Sequence, residues 1–250
     1  MTSVFSFHAL RFHYTSLVPV NANLIRGAFG SALKTISEDA YQRYFAPKAT
    51  GGPSGLADSP RPFVFRLRES GIIGLNVFAA DGIDIFRQAV RAIECIRITT
   101  EDQPQLVELP LAPSADSIAN VRIHFLTPTE LKPTSEPHFG VLLARIRDRI
   151  HTLSALWGEG GLELDFPALN FKEFGARASL IRMTRCELAQ VHQHRISRAT
   201  GRQHSIGGFT GVAEYEGDIA EFLPYLEIAR HTGVGRQTVW GKGEIAYETF

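Results

Sequence analysis

The chain has 250 residues, 44% of them hydrophobic and 21% charged, and its 26 basic and 26 acidic side chains cancel. That composition excludes a disordered chain and allows a sizeable core in one large domain or two small ones. Zero net charge excludes a uniformly polybasic nucleic-acid binder but leaves room for a local basic face.

No stretch approaches the roughly 18 apolar residues of a membrane span. The start, MTSVFSFHALRFHYT, lacks the basic opening and small-residue cleavage site of a signal peptide. Cys95 and Cys186 match no metal or redox spacing. A soluble, cytoplasmic protein with reduced, buried and inert thiols is expected.

Residues 4–14, VFSFHALRFHY, predict a first strand with Phe5, Phe7, Ala9 and Arg11 on one side and Ser6, His8, Leu10 and Phe12 on the other. Asn21 or Asn23 caps a helix that runs to about Ile36, with Leu24, Ala28, Ser31 and Ala32 as a small-residue packing face. Residues 46–62 are a loop rich in Pro, Gly and Ser. FVFRL and GIIGLNVFAA predict two paired strands, GIDIFRQAVRAIECI a helix, and QLVELPL a strand.

A seam falls near residue 113, and the order then begins again. NVRIHFLTP predicts a strand. HFGVLLARIRDRIHTLSALWG predicts a long helix with Phe139, Leu142, Leu143, Ile146, Ile150, Leu153 and Leu156 on one stripe. ASLIRMTRCELAQVHQH and GGFTGVAEYEG predict strands, DIAEFLPYLEIARHTG a helix stopped by glycine, and QTVWGKGEIAYE the last strand. Twice over, the elements follow β-α-β-β-α-β. An α+β fold of two tandem ferredoxin-like domains, 1–113 and 118–250, is expected.

The stretch HTGVGRQTVWGKGEI holds Gly233, Gly235, Gly241 and Gly243 around Arg236 and Lys242. It fails as a Walker A loop because five residues separate Gly235 from Gly241 and Gly243 follows the lysine. It fails as a dinucleotide fingerprint because position 238 is Thr and a strand follows. Two uses stay open. One is an RNA-backbone contact, with glycines that allow close approach and two cations for phosphate. The other is a connection with two solvated cations.

Residues 177–204 carry arginines at 177, 182, 185, 195, 198 and 202 and three histidines against one acid, Glu187. Such a cluster suits polyanion binding through counterion release and Arg–phosphate pairing. His192 and His194 form an H-x-H pair without a nearby Asp or Cys, and no metal site is expected. Trp157 and Trp240 are expected to pack, and His8 and His13 to fill or edge the core.

Several stretches together resemble one family. NLIRGAFGSALK is similar to the first-helix motif of the RAMP superfamily of CRISPR-associated proteins. PRPFVF resembles the entry to the second strand, and VRIHFLTPTELK the start of the second domain. HRISRATGRQHSIGGFTGVAEYEG resembles the central hairpin, and GVGRQTVWGKGEI the C-terminal glycine-rich loop. The ordered set most resembles the endoribonuclease that processes CRISPR repeats.

The resemblance implies a metal-independent, cofactor-free cut of precursor CRISPR RNA by 2′-hydroxyl attack, which leaves a 2′,3′-cyclic phosphate. It implies repeat RNA as partner, together with other CRISPR effector subunits, and no membrane. Arg26, Arg195, Arg198, Arg202, His204, Gly233, Gly235, Arg236 and Lys242 would contact RNA. Many relatives place a histidine in or just after the first helix, but residues 14–123 here contain none. Tyr41, Tyr44 and Lys48 occupy that stretch and would line the cleavage site, with pKa values near ~10 that need tuning. The rival expectations are a non-catalytic RAMP subunit that binds guide RNA and a general two-domain RNA-binding protein.

Overall fold

The computed structural model describes residues 3–47, 59–113, 116–131, 136–158, 171–192, 194–196, 203–205 and 207–250, with backbone alone at 194–196 and 203–205. The chain divides into two compact units. One takes Met1–Pro110, Arg149–Leu164 and Val239–Gly241; the other takes Leu111–Asp148, Asp165–Thr238 and Lys242–Phe250.

The first unit begins with β1 (Val4–Thr15) and α1 (Ala22–Ile36). Asn21 Oδ1 accepts the Leu24 N–H at 3.0 Å, an N-cap worth about 1 kcal/mol. The buried face of α1 is Ile25, Phe29, Gly30, Ala32 and Leu33. Of the expected face only Ala32 is buried. The large apolar side chains Ile25, Phe29 and Leu33 enter the core instead. A one-turn α2 (Glu38–Ala40) runs into a π-helical turn at Tyr41–Phe45.

Next come β2 (Phe63–Arg66), β3 (Ile72–Val77), α3 (Ile83–Arg91), β4 (Arg97–Glu101) and β5 (Gln105–Pro110). The sheet order is β2-β3-β1-β4, all antiparallel. β5 pairs with Val4–Ala9 of β1, and β4 pairs with Phe12–Thr15. The closing edge of this ferredoxin-like sheet is therefore shared by two strands. The sequence pattern misses β4, because RITTE is mostly exposed and lacks a buried face to alternate. The core is aromatic. Phe29 meets Phe63 and Phe65 edge-on, each at 5.3 Å, and Phe86 at 5.7 Å.

The second unit repeats the plan with β6 (Asn120–Thr129), α4 (Phe139–Trp157, of which the part from Arg149 belongs to the first unit), α5 (Phe171–Leu180), β7 (Arg182–Val191), β10 (Gly208–Glu216), α6 (Leu223–Thr232) and β11 (Ile245–Thr249). A short hairpin, β8 (His194–Ile196) with β9 (Gln203–Ser205), lies between β7 and β10. The sheet order β11-β6-β10-β7 is again ferredoxin-like. The expected stripe of α4 is buried from Phe139 to Leu153.

Two expectations change here. α5 occupies residues where sequence reading began a strand at Ala178. Its only buried positions are Phe174 and Ala178, too few to set a helical period. The last strand starts at Ile245, not Gln237, since Thr238–Trp240 form a 3₁₀ turn. Cys186 is exposed, on an outward position of β7, and only Cys95 is partly covered. Among the described residues, no helix is long and apolar enough to cross a membrane.

Candidate nucleic-acid interface

α6 ends at Gly233, whose φ of 73° opens the glycine-rich loop. Gly235, Gly241 and Gly243 also take positive φ, as does Gln237 at 63°. The space beside these glycines is already filled by the protein. A β-carbon on Gly243 would lie 1.9 Å from the Val234 carbonyl, and one on Gly235 would lie 2.4 Å from that of Glu130. The loop is stitched to the end of β6: Arg236 N–H donates to Glu130 O at 3.1 Å, Gly243 N–H to Pro128 O at 3.2 Å, and Glu244 N–H to Thr127 Oγ1 at 2.9 Å. At Gly235 and Gly243, then, the glycines fix the loop's shape rather than clear room for a bulky partner.

The two cations of the loop differ. Arg236 is half-exposed and pairs with Glu130 at 3.1 Å. Lys242 is buried, with 7% of its surface exposed, and its Nζ reaches the Gly207 carbonyl at 3.5 Å. Burial lowers its pKa to about 8, with the Glu130 carboxylate opposing. It is not a solvated cation. Gly207 immediately precedes β10 and follows the β8–β9 hairpin, so Lys242 ties the loop to that hairpin's base.

The basic segment is less basic once folded. Arg177 pairs with Glu221 at 2.7 Å, Arg182 with Glu216 at 2.6 Å, and Arg185 with Glu187 at 2.8 Å and Glu214 at 3.1 Å. Three of the six arginines are thus paired with acids, all of them distant in sequence except Glu187. Of the remaining three, Arg195 lies on β8. The backbone of Arg195 stands opposite that of His204 in the β8–β9 register. Arg198 and Arg202 lie outside the described residues, as do the side chains of Arg195, His204 and His194.

In the first unit, Tyr41 and Tyr44 sit in the π-helical turn after α1. Tyr41 stacks on Phe45 at 5.2 Å, with Lys34 Nζ 5.5 Å from its ring centre. Tyr44 is buried, edge-on to Phe86 at 5.1 Å. Burial and the neighbouring Asp81 carboxylate raise its pKa, which keeps the phenol protonated. Lys48 lies outside the described residues. The Arg26 guanidinium is stacked between the rings of Phe45 at 4.5 Å and Trp240 at 4.2 Å.

Sequence reasoning missed Arg149, whose guanidinium is buried. Burial and the positive charge of Arg66 lower its pKa to about 9. No spacing in the sequence marks this pair.

Residues 123–245 match the family model of the CRISPR-associated endoribonuclease Cas6. Over this segment the chain is similar to the Cas6 family. The fold agrees over almost the full length. One Cas6 product complex aligns with a TM-score of 0.62 at 14% identity, covering 97% of this chain and 99% of that one. Another Cas6 product complex gives 0.60 at 15% identity, covering 99% and 100%. Thermus thermophilus Cas6 gives 0.61 at 17% identity, covering 99% of each chain. No curated protein matches this chain in sequence.

The matched segment includes β8, β9 and the whole glycine-rich loop, and so every expected RNA-contact residue except Arg26. Tyr41, Tyr44 and Lys48 precede it.

Proposed function

We propose that this chain is a metal-independent endoribonuclease that binds CRISPR repeat RNA and cuts precursor CRISPR RNA into guide RNAs. The observation that carries this reading is the segment similar to the Cas6 family, which spans β8, β9 and the glycine-rich loop. The similar Cas6 structures that are product complexes support it. The functional division into domains 1–113 and 118–250, and the company of other CRISPR effector subunits, belong to the same reading.

In the proposed reaction a ribose 2′-hydroxyl attacks the adjacent phosphorus. The P–O5′ bond breaks, leaving a 2′,3′-cyclic phosphate and a 5′-hydroxyl. A base removes the 2′ proton, an acid protonates the leaving oxygen, and cations stabilise the crowded phosphate. Tyr41 and Lys48 are assigned the proton transfers. Tyr44 supports them from beneath, through Asp81 and the Asp81–Arg43 pair at 2.5 Å. Arg195, Arg198, Arg202 and His204 hold the RNA. Arg236 and Lys242 add positive charge beside the loop.

One observation favours a second reading, a RAMP subunit that binds without cutting. Residues 14–123 contain no histidine, and the Tyr44 hydroxyl is engaged with Asp81. A single assay separates the two. The purified protein is mixed with its host's repeat RNA in EDTA, and the products are examined for cyclic-phosphate ends. Cleavage with those ends is expected. Tight binding without product selects the second reading, and failure to bind repeat RNA sinks both.

A further inference from the structure

The first unit contains an open cleft of about 430 Å³ beside the α2 turn. One wall is apolar, from Leu156 and the indole of Trp157. The other is polar, from Asp39, Gln42 and Arg43. The size suits a small planar ligand.

The indole is held in place. Its Nε1–H donates to the Pro60 carbonyl at 2.9 Å, and the Tyr44 ring lies 5.9 Å away. A fixed ring bordering a cleft is a stacking platform whose ordering cost is met before any ligand arrives.

The polar wall is partly committed. Gln42 Nε2 donates to Glu38 at 2.8 Å, and Arg43 pairs with Asp81. The Asp39 carboxylate makes no hydrogen bond or ion pair among the described residues. A free carboxylate repels phosphate, so the cleft is not a backbone site. It accepts hydrogen bonds in two parallel directions. Among RNA bases only guanine offers two adjacent donors, N1–H and the 2-amino group. Adenine and cytosine offer one amino group next to a ring acceptor, and uracil one N–H between two carbonyls. Those acceptors would face the carboxylate unfavourably.

We propose that this cleft holds one unpaired guanine of the bound RNA, stacked on Trp157 with its Watson–Crick edge on the Asp39 carboxylate. The proposal rests on the RNA-binding reading above and adds a base-specific subsite to it. Sequence recognition in single-stranded RNA commonly combines such stacking with edge hydrogen bonds.

The test uses the full chain and four ten-nucleotide RNAs: all uridine, and the same strand with one central guanosine, adenosine or cytidine. Affinity is read by fluorescence anisotropy. The guanosine strand is expected to bind about tenfold tighter than the uridine strand, the gain typical of one good bidentate pair. The adenosine and cytidine strands stay within about threefold of uridine. Asp39→Asn should bring guanosine within about twofold of uridine while the melting temperature stays unchanged, because this side chain is exposed. Trp157→Leu should weaken all four strands, with its folding checked by circular dichroism. Equal affinity of the four strands, with normal salt dependence, overturns the guanine subsite and leaves RNA binding standing. A guanosine preference that survives Asp39→Asn also overturns it. Failure of all four to bind while repeat RNA still binds overturns the guanine subsite, and failure of repeat RNA as well overturns the RNA-binding reading itself.

Discussion

Gly243 and Val234 clasp the two ends of the glycine-rich loop. The Val234 N–H donates to the Gly243 carbonyl at 2.8 Å, and the Val234 oxygen lies where a Gly243 β-carbon would be. Gly243 also takes a φ of 67°. The clasp closes the loop upon itself through its own backbone.

Gly243→Ala therefore faces both a backbone clash and left-handed strain. A loss of about 3 kcal/mol in unfolding free energy is expected. Gly241→Ala meets only the Phe65 carbonyl at 3.3 Å, at a φ of 70°, and should cost about 1 kcal/mol. Urea denaturation of the two variants measures the difference. Equal losses would show that strain alone governs the loop.

The two sets of arginines should separate in salt titrations. Replacing Arg195, Arg198 and Arg202 with alanine should lower the slope of log affinity against log salt by about 2, near 0.7 per lost contact to single-stranded RNA. Replacing Arg177, Arg182 and Arg185 should change it by less than about 0.7, because their charges are already met by Glu221, Glu216, Glu187 and Glu214. A large slope change from the second set would place RNA on the sheet face instead of the hairpin.

That contrast shows where a sequence stops being legible. The α4 stripe and the Asn21 cap could be read directly, since both depend on residues within one turn of each other. The neutralised arginines could not. Arg182 and Arg185 stand opposite Glu216 and Glu214 only in the β7–β10 register, which is fixed by long-range packing. The positive φ of the loop glycines was legible from residue type. The backbone that fills the space beside them was not. Trp157 reads from sequence as a packing residue, and its place at a cleft emerges only because the end of α4, from Arg149, falls in the same unit as the α2 turn.

Arg26 offers a different test, since its role in the motif and its stacking coincide. Arg26→Lys keeps the charge but loses the planar group lying between Phe45 and Trp240. A stability loss of about 1 kcal/mol and a change in Trp240 emission are expected. Full retention of RNA affinity with that loss would make Arg26 a strut for the loop rather than an RNA contact.

Lys242 should leave a signature in the pH dependence of stability. Its folded pKa, about 8, lies below the ordinary 10.5 because burial disfavours the charge. The unfolded chain therefore holds this proton more tightly than the folded one. Between about pH 8 and 10.5 the unfolded state binds more protons, so this residue's contribution to stability rises with pH across that window. Below pH 8 both states are charged and the burial penalty is complete, on the order of 3 kcal/mol. Lys242→Met removes the penalty and should be more stable than the parent at pH 7, with the gap closing towards pH 10.5. Denaturation of both proteins across that range reads the gap. A constant difference would show that Lys242 keeps an ordinary pKa, its charge satisfied at the base of the hairpin. RNA affinity provides the second half of the test. If the protonated Nζ is needed there, Lys242→Met stabilises the fold while weakening binding at pH 7, and the parent loses affinity as pH passes 8.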